Sequence, residues 1–319
     1  MLRANSMGKP FKTIGIVGTG VIGASWAAFY LARGFDVVAT DPAAGAEEKL
    51  RALVATYWDA LTRMGLDQGA SQDRLAFDAD LATALQGAEF VQENGPERVD
   101  IKRQLLAEIT AVVGPDVIVA TSTSGIMISD VQDAAENPGR IVLGHPFHPP
   151  HLIPLVEVVG GKATRPDVVE ETVAFYTSLG KKPIRLHREV AGHIANRLQA
   201  ALWREAFYLV SKGVASVADI DTAIAHGPGL RWALLGPFMN LHLSGGAGGI
   251  GHAIDHLGPP IESWWRDLGE VSFTAALRQE AVDGIVDELD GRDLAQVTAA
   301  RDDVLVHLLA LKAERDRLP

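Results

Sequence analysis

A histidine and a glutamate in this chain stand in unusual company. His145 follows the apolar run Ile141-Val142-Leu143-Gly144, and Glu157 is embedded in Leu155-Val156-Glu157-Val158-Val159. A carboxylate in an apolar strand is costly to bury unless it is paired or hydrogen-bonded. An imidazole is a suitable partner, because the acid would orient the ring and stabilise its protonated form. The polar run Thr121-Ser122-Thr123-Ser124-Gly125 ends another predicted strand and offers hydroxyls beside it, although runs of this kind also cap helices.

His145, His148 and His151 recur at every third position and invite a metal reading. Pro146, Pro149 and Pro150 exclude a helix there. An extended proline-rich run rises about 3.1 Å per residue, so the three rings would stand roughly 9 Å apart. Ligands must approach a shared ion to about 2 Å. No metal is expected.

A second group of residues has the chemistry of a phosphate cradle. Gly18-Thr19-Gly20-Val21-Ile22-Gly23 lies between the apolar strand Thr13–Val17 and the apolar helical run Ala24–Leu31, and Asp41 closes the next strand, Asp36–Thr40. This is the Rossmann fingerprint in its structural context. Gly18 permits the tight turn, Gly20 lets the backbone approach a pyrophosphate, and Gly23 lets the helix pack on the sheet. The N–H groups of Val21, Ile22 and Gly23 at the helix start attract phosphate. Asp41 can accept both hydroxyls of an adenosine ribose. It would repel a 2′-phosphate, and Pro42-Ala43-Ala44 supplies no cation to offset that repulsion. NAD is therefore expected rather than NADP.

These groups need a scaffold. Over the first 185 or so residues, short β-branched strands alternate with helical stretches: Thr13–Val17, Asp36–Thr40, Leu75–Phe77, Phe90–Gln92, Val117–Thr121, Ile141–Gly144, Leu155–Val159 and Pro183–Leu186. That rhythm predicts an α/β, doubly wound, mostly parallel sheet. From Ala191 onward helical periodicity takes over, with helices expected over Ile194–Lys212, Val217–Ala225, Trp232–Leu243, Phe273–Leu289 and Leu294–Arg317. Ser216 with Asp219 resembles a capping box. The expected organisation is a Rossmann-like nucleotide domain over residues 1–188 and an all-helical substrate and dimerisation domain over 189–319. The glycine-rich stretch Ser244–Gly251 follows a helix rather than a strand and reads as a mobile connector or flap.

Composition sets outer limits. The chain has 319 residues, 47% of them hydrophobic, which suits two domains with a sizeable core. A net charge of −11 argues against nucleic-acid or anionic-membrane partners. There are no cysteines, so disulfides, thiolate catalysis and cysteine-ligated metals are excluded. No run approaches the roughly 20 apolar residues of a membrane span. Residues 1–10 lack the apolar core of a signal peptide, so a cytoplasmic location is expected.

Taken together, these residues resemble the L-3-hydroxyacyl-CoA dehydrogenase superfamily over nearly the whole chain. The matching positions are the glycine turn, Glu97 with Lys102, Ser124, His145-Pro146-Phe147, Leu155–Val159 and Ala191-Gly192-His193-Ile194-Ala195-Asn196-Arg197. Gly229-Leu230-Arg231-Trp232-Ala233 and Gly236-Pro237-Phe238 are similar to the branch of L-carnitine dehydrogenase and lambda-crystallin/L-gulonate 3-dehydrogenase. The resemblance implies that His145 is the general base and Glu157 its support. Ser124 and Asn196 would position the substrate oxygen, with Ser124 also beside the cofactor. Glu97 and Lys102 would lie near the nicotinamide ribose. The family usually has Asn at the position of His148, which would contact the nicotinamide end. A homodimer is also implied.

Two features favour a free 3-hydroxy acid over a thioester. The helical stretch from Glu47 to Leu61 has mixed charge, so a CoA 3′-phosphate would find little to pair with. Arg231 replaces an uncharged residue of the CoA enzymes and could hold a carboxylate through its guanidinium fork. A salt bridge at the surface or between subunits is the other reading of Arg231. Trp232, Phe238, Trp264 and Trp265 could box a quaternary ammonium, or pack the core or a dimer interface. Sugar acids such as L-gulonate would want polar partners instead. The alternatives are a 3-hydroxyacyl-CoA dehydrogenase and a non-catalytic NAD-binding structural protein.

Overall fold

The computed structural model describes residues 11–314. The segment read for a signal sequence and the far end of the helix expected to reach Arg317 lie outside them. Contacts divide the chain into two compact units, one ending at Arg197 and the other starting at Leu198. The division falls later than Arg188, because residues 193–196 are bonded into the first unit, as described below.

The first unit holds one eight-stranded sheet. Its strands are β1 (Thr13–Val17), β2 (Asp36–Thr40), β3 (Leu75–Phe77), β4 (Phe90–Glu93), β5 (Ile118–Thr121), β6 (Ile141–Pro146), β7 (Leu155–Gly160) and β8 (Lys182–Arg185). The order across the sheet is β3-β2-β1-β4-β5-β6-β7-β8. The pairs from β3 to β6 are parallel, β7 runs antiparallel to β6, and β8 is parallel to β7. The strand order reverses between β1 and β4, where doubly wound sheets bind their ligands.

The crossovers run through α1 (Val21–Ala32), α2 (Ala46–Met64), α3 (Leu81–Ala84) and α4 (Val99–Val112), with α5 (Pro166–Ser178) between β7 and β8. Helix α1 has no charged residue and is buried from Gly23 through Ala32. A helix that is apolar all round must be covered on every side, and it is enclosed in the core formed with Leu50, Val54, Phe90 and Phe175. Trp26, Tyr30 and Tyr176 stack there, with Tyr30 also stacked on Phe175. Burial pushes both phenols far above their ordinary value and keeps them as donors. Both donate to Gln92 Oε1, at 3.2 Å and 2.7 Å. The Gln92 amide in turn donates to Ser122 Oγ at 2.9 Å and Gly144 O at 3.2 Å. One side chain thus ties α1 and α5 to the ends of β5 and β6.

The second unit is helical. Its elements are α6 (Ala195–Ser211), which begins in the first unit, then α7 (Val217–His226), α8 (Pro228–Trp232), α9 (Pro237–Ser244), α10 (Gly249–Asp267), α11 (Ala275–Leu289) and α12 (Leu294–Glu314). The capping box at Ser216 and Asp219 is present. Three features differ from expectation. The helix expected over Trp232–Leu243 is two helices, because Pro237 disfavours helical backbone at Gly236, which is extended. The Gly-rich stretch is no open connector but a tight corner between α9 and α10. A Cβ on Gly245 would lie 1.8 Å from Gly249 O, and Gly249 has φ +59°. Helix α10 itself continues through Pro259 and Pro260. Ile250, Ala253, Leu257, Ile261 and Trp264 recur at helical spacing through this stop signal.

Gly144 has no room for a methyl group. An added Cβ would stand 2.3 Å from the Tyr176 hydroxyl and 3.0 Å from the Ala120 Cβ. Gly144→Ala should lower stability by about 1–3 kcal/mol, read as a shift of the urea midpoint. A midpoint equal to that of the wild type would show that Tyr176 can leave Gln92 at no cost.

Candidate active site

His145 and Glu157 are opposite each other in the antiparallel β6–β7 ladder. Residues facing across such a pair project to the same side with Cβ atoms about 4.5–5.5 Å apart. His145 Nδ1 lies 2.9 Å from Glu157 Oε2. The carboxylate is fully buried and the imidazole is 5% exposed. The other oxygen, Oε1, accepts the N–H groups of Ile194 at 2.8 Å and Ala195 at 3.0 Å. These belong to the start of α6, where the helix dipole also favours an anion. Burial by itself would raise the Glu157 carboxyl, but the bonds to His145 and the two N–H groups outweigh it and hold the group below its ordinary range. With Nδ1–H donated to Glu157, Nε2 is left as the acceptor of a proton.

Ser124 follows β5, and the turn that carries it is gripped from two sides. Glu97 Oε1 accepts Thr123 Oγ1 at 2.7 Å and the N–H groups of Ser124 and Gly125 at 2.9 Å. Asn196 Nδ2 donates to Ser124 O at 3.0 Å. His145, Glu157, Ser124, Asn196 and Glu97 therefore form one connected group. His193 joins it as well. Its Nε2 is 3.1 Å from Thr123 O, and its ring centre is 5.2 Å from that of His145. Sequence reading gave His193 no role, although it stands in the same block as Asn196.

Lys102, expected near the nicotinamide ribose, lies under the turn after β4. It is 1% exposed, and its ammonium bonds both oxygens of Glu93 at 3.0 Å and Gly95 O at 3.2 Å. An ammonium has three protons, and these acceptors use them all. Lys102 holds the turn after β4 from beneath, where Thr121 Oγ1 and Gly95 N also donate to Glu93. The partner that sequence reading missed is Glu93, a buried acid at a strand end. Exposed His148 precedes a cis peptide bond to Pro149. The segment it opens is anchored by Ser25 Oγ to His151 Nδ1 at 2.8 Å, and by Lys181, whose ammonium bonds Pro150 O and Ile153 O. Arg231 is exposed on α8 of the helical unit, and among the described residues no carboxylate pairs with it.

The glycine turn fits a dinucleotide. Gly18 has φ +82°, and a Cβ on Gly23 would fall 1.9 Å from Gly18 O, whereas space beside Gly20 is open. No side chain caps the first turn of α1, and no acid lies in it. Asp41 Oδ2 accepts Thr19 N at 2.8 Å and Thr19 Oγ1 at 3.1 Å, and Oδ1 accepts Ala43 N at 3.0 Å. The hydroxyl bond is the one a ribose hydroxyl can replace by rotation of Thr19.

The lowered Glu157 carboxyl has a consequence for acid stability. Its contribution is complete above the unfolded value of about 4.3 and is lost as pH falls through the lower folded value. Unfolding free energies measured from about pH 6 down to about pH 3 should fall more steeply for the wild type than for Glu157→Gln. Parallel curves would mean that the pair with His145 does not stabilise the ionised acid.

The chain is similar to known proteins over most of its length. Residues 13–190 match the NAD binding domain of 3-hydroxyacyl-CoA dehydrogenase, and residues 192–271 match its C-terminal domain. An L-carnitine dehydrogenase of Streptomyces griseus is 49% identical over 93% of this chain and 89% of its own length. One from Bacillus cereus is 45% identical over 98% of this chain and 96% of its own. Among solved structures, 5-formyl-3-hydroxy-2-methylpyridine 4-carboxylic acid 5-dehydrogenase, an NAD+-dependent dismutase, is 30% identical. It has a TM-score of 0.83 and covers 96% of this chain and 100% of its own. The 3-hydroxybutyryl-CoA dehydrogenase of Escherichia coli K12 is 31% identical with a TM-score of 0.63, over 73% of this chain and 49% of its own. With a buried acid–imidazole pair at the strand ends and a glycine turn shaped for a dinucleotide, this chain is an NAD-dependent oxidoreductase and belongs to the 3-hydroxyacyl-CoA dehydrogenase family.

Proposed function

We propose that the chain oxidises the 3-hydroxyl of a small free L-3-hydroxy acid to the 3-keto acid, with L-carnitine as the first substrate to test. The observation that carries this reading is the His145–Glu157 pair, fixed across β6 and β7 with Nε2 left free to accept a proton. His145 takes the hydroxyl proton, and Glu157 stabilises the imidazolium that forms. Ser124 Oγ and the second amide N–H of Asn196 orient the substrate oxygen, which supplies the proximity term. NAD, when bound, accepts the hydride from C3.

The free acid is favoured over a CoA ester by charge. On α2, Glu47 and Glu48 accompany Lys49 and Arg51, and Arg51 is already paired with Glu47 at 2.9 Å. Little cationic surface remains there for a CoA 3′-phosphate. Arg231 is our candidate for the substrate carboxylate, and Glu97 and His148 are our candidates for the nicotinamide side of the cofactor. L-carnitine is favoured over L-gulonate by relatives at 45–49% identity that carry the carnitine dehydrogenase name.

We place the enzyme in the cytoplasm. No helix among the described residues is long and apolar enough to cross a membrane. We also propose a homodimer formed through the helical unit. Phe238, Trp264, Trp265 and Phe273 are each more than half exposed there, so they do not pack a core within the chain. A cavity of about 490 Å³ opens between Trp203, Phe207, Val217, Phe273 and Ile285. Exposed apolar surface on this scale marks an interface. Sedimentation velocity should give twice the chain mass, and a stable monomer would refute the dimer.

The substrate is tested by assaying L-carnitine, L-gulonate, L-3-hydroxybutyrate and 3-hydroxybutyryl-CoA side by side with NAD. Turnover of a free acid well above that of the thioester is expected. His145→Gln should lower kcat by about 10²–10⁴-fold with NAD still bound. Arg231→Met should raise KM for the free acid by roughly 10- to 100-fold. A preference for the CoA ester, or unchanged KM in Arg231→Met, would overturn the respective assignment.

A further inference from the structure

His193 combines two features that a structural residue would avoid. Its backbone is left-handed, with φ +49°, directly after Gly192 at φ +73°. That region is uncommon for any residue but glycine, although asparagine, aspartate and histidine enter it more readily than the others. Its side chain is 2% exposed, and among the described residues Nδ1 has no hydrogen-bond partner. Thr123 O can only accept, so the nitrogen beside it, Nε2 at 3.1 Å, carries the proton. Nδ1 is then a bare acceptor left unmatched in the interior. Glycine would remove both penalties. Their retention beside reacting groups is the pattern expected of a residue kept for function.

The surroundings show what the ring holds. Thr123 immediately precedes Ser124, and the same turn is held from its other side by Glu97. The residues after His193 donate their N–H groups to Glu157, and the following side chain, Asn196, holds Ser124 O. The ring itself packs at 5.2 Å, tilted 49°, against His145. Burial pulls its ionisation below the ordinary histidine range, the Thr123 bond opposing, so it adds no second cation beside the base.

We propose that His193 is a positioning residue for the oxidation, setting the separation of Ser124 from His145 through its Nε2–H bond to the Thr123 carbonyl. The proposal rests on the reading that Ser124 and His145 meet the same substrate hydroxyl. His193 itself does not touch the substrate.

The test compares His193→Gln with His193→Phe. Both carry the same left-handed strain, so the difference between them isolates the N–H. Glutamine places an amide N–H at the reach of Nε2, whereas phenylalanine keeps a ring without it. With L-carnitine, His193→Phe should lose about 30–100-fold in kcat/KM, and His193→Gln should stay within about fivefold of the wild type. KM for NAD should change by less than about twofold in both, because the glycine turn is untouched. Full activity in His193→Phe, or equal losses in two variants of wild-type Tm, would refute the role. His145→Gln is assayed in parallel. If it is active, the site reading itself fails; if it is inactive while His193→Phe is fully active, only the present inference fails. Should the variants not fold, ¹⁵N spectra of the imidazoles in the wild type decide the matter. A neutral Nε2–H tautomer of His193 at neutral pH supports the bond to Thr123, and an Nδ1–H tautomer or an imidazolium refutes it.

Discussion

The site depends on one buried carboxylate. Glu157 has no solvent to stabilise its charge, so every acceptor direction it offers must be met from within the protein. Three donors meet it: the ring of His145 and the N–H groups that open α6. The requirement runs in both directions. The imidazole is locked into one tautomer, and the backbone at Ile194 and Ala195 is locked against the sheet. Asn196 and His193 are carried with that backbone to the turn that bears Ser124. A single electrostatic demand thus organises β5, β6, β7 and the start of α6.

A second buried charge acts in the same way at the end of β4. There Glu93 gathers Lys102, Thr121 and Gly95 N, so the turn after β4 is tied to the end of β5. Glu97, four residues on, then reaches the Ser124 turn from outside. Breaking such a pair from one side is expected to cost about 3–5 kcal/mol, which makes it a firm base for a turn that must not drift. Between the two charges lies the neutral network of Gln92, where two tyrosine hydroxyls, Ser122 and the Gly144 carbonyl meet. The rim at the strand ends is therefore supported from below by polar groups, and the apolar cores on the two faces of the sheet surround them.

Much of this was legible in the sequence. The glycine turn has a local cause, since a left-handed residue and two close backbone approaches demand glycine whatever the rest of the chain does. The strands of the sheet are visible as β-branched runs, and Glu157 stands out because an acid interrupts one of them. Helix α10 was hidden because Gly258-Pro259-Pro260 carries a local stop signal that periodicity over a longer span overrides. The corner after α9 is not legible, because composition alone cannot separate a loose chain from one in which Gly245 and Gly249 are packed too tightly for side chains. The buried partner of Lys102 is not legible, because Glu93 gives no signal at its own position.

The residue types of the chemistry, the dinucleotide turn and the alternation that builds the sheet were determined by the sequence itself, because each follows from local sterics or from the cost of burying a charge. Tertiary structure alone decided that β7 returns antiparallel to β6, which brings Glu157 opposite His145. It also decided that the opening of α6 closes on that acid and that His193 bridges to Thr123. These are contacts between residues distant in the chain, and no local preference encodes which strand edge or helix end will meet.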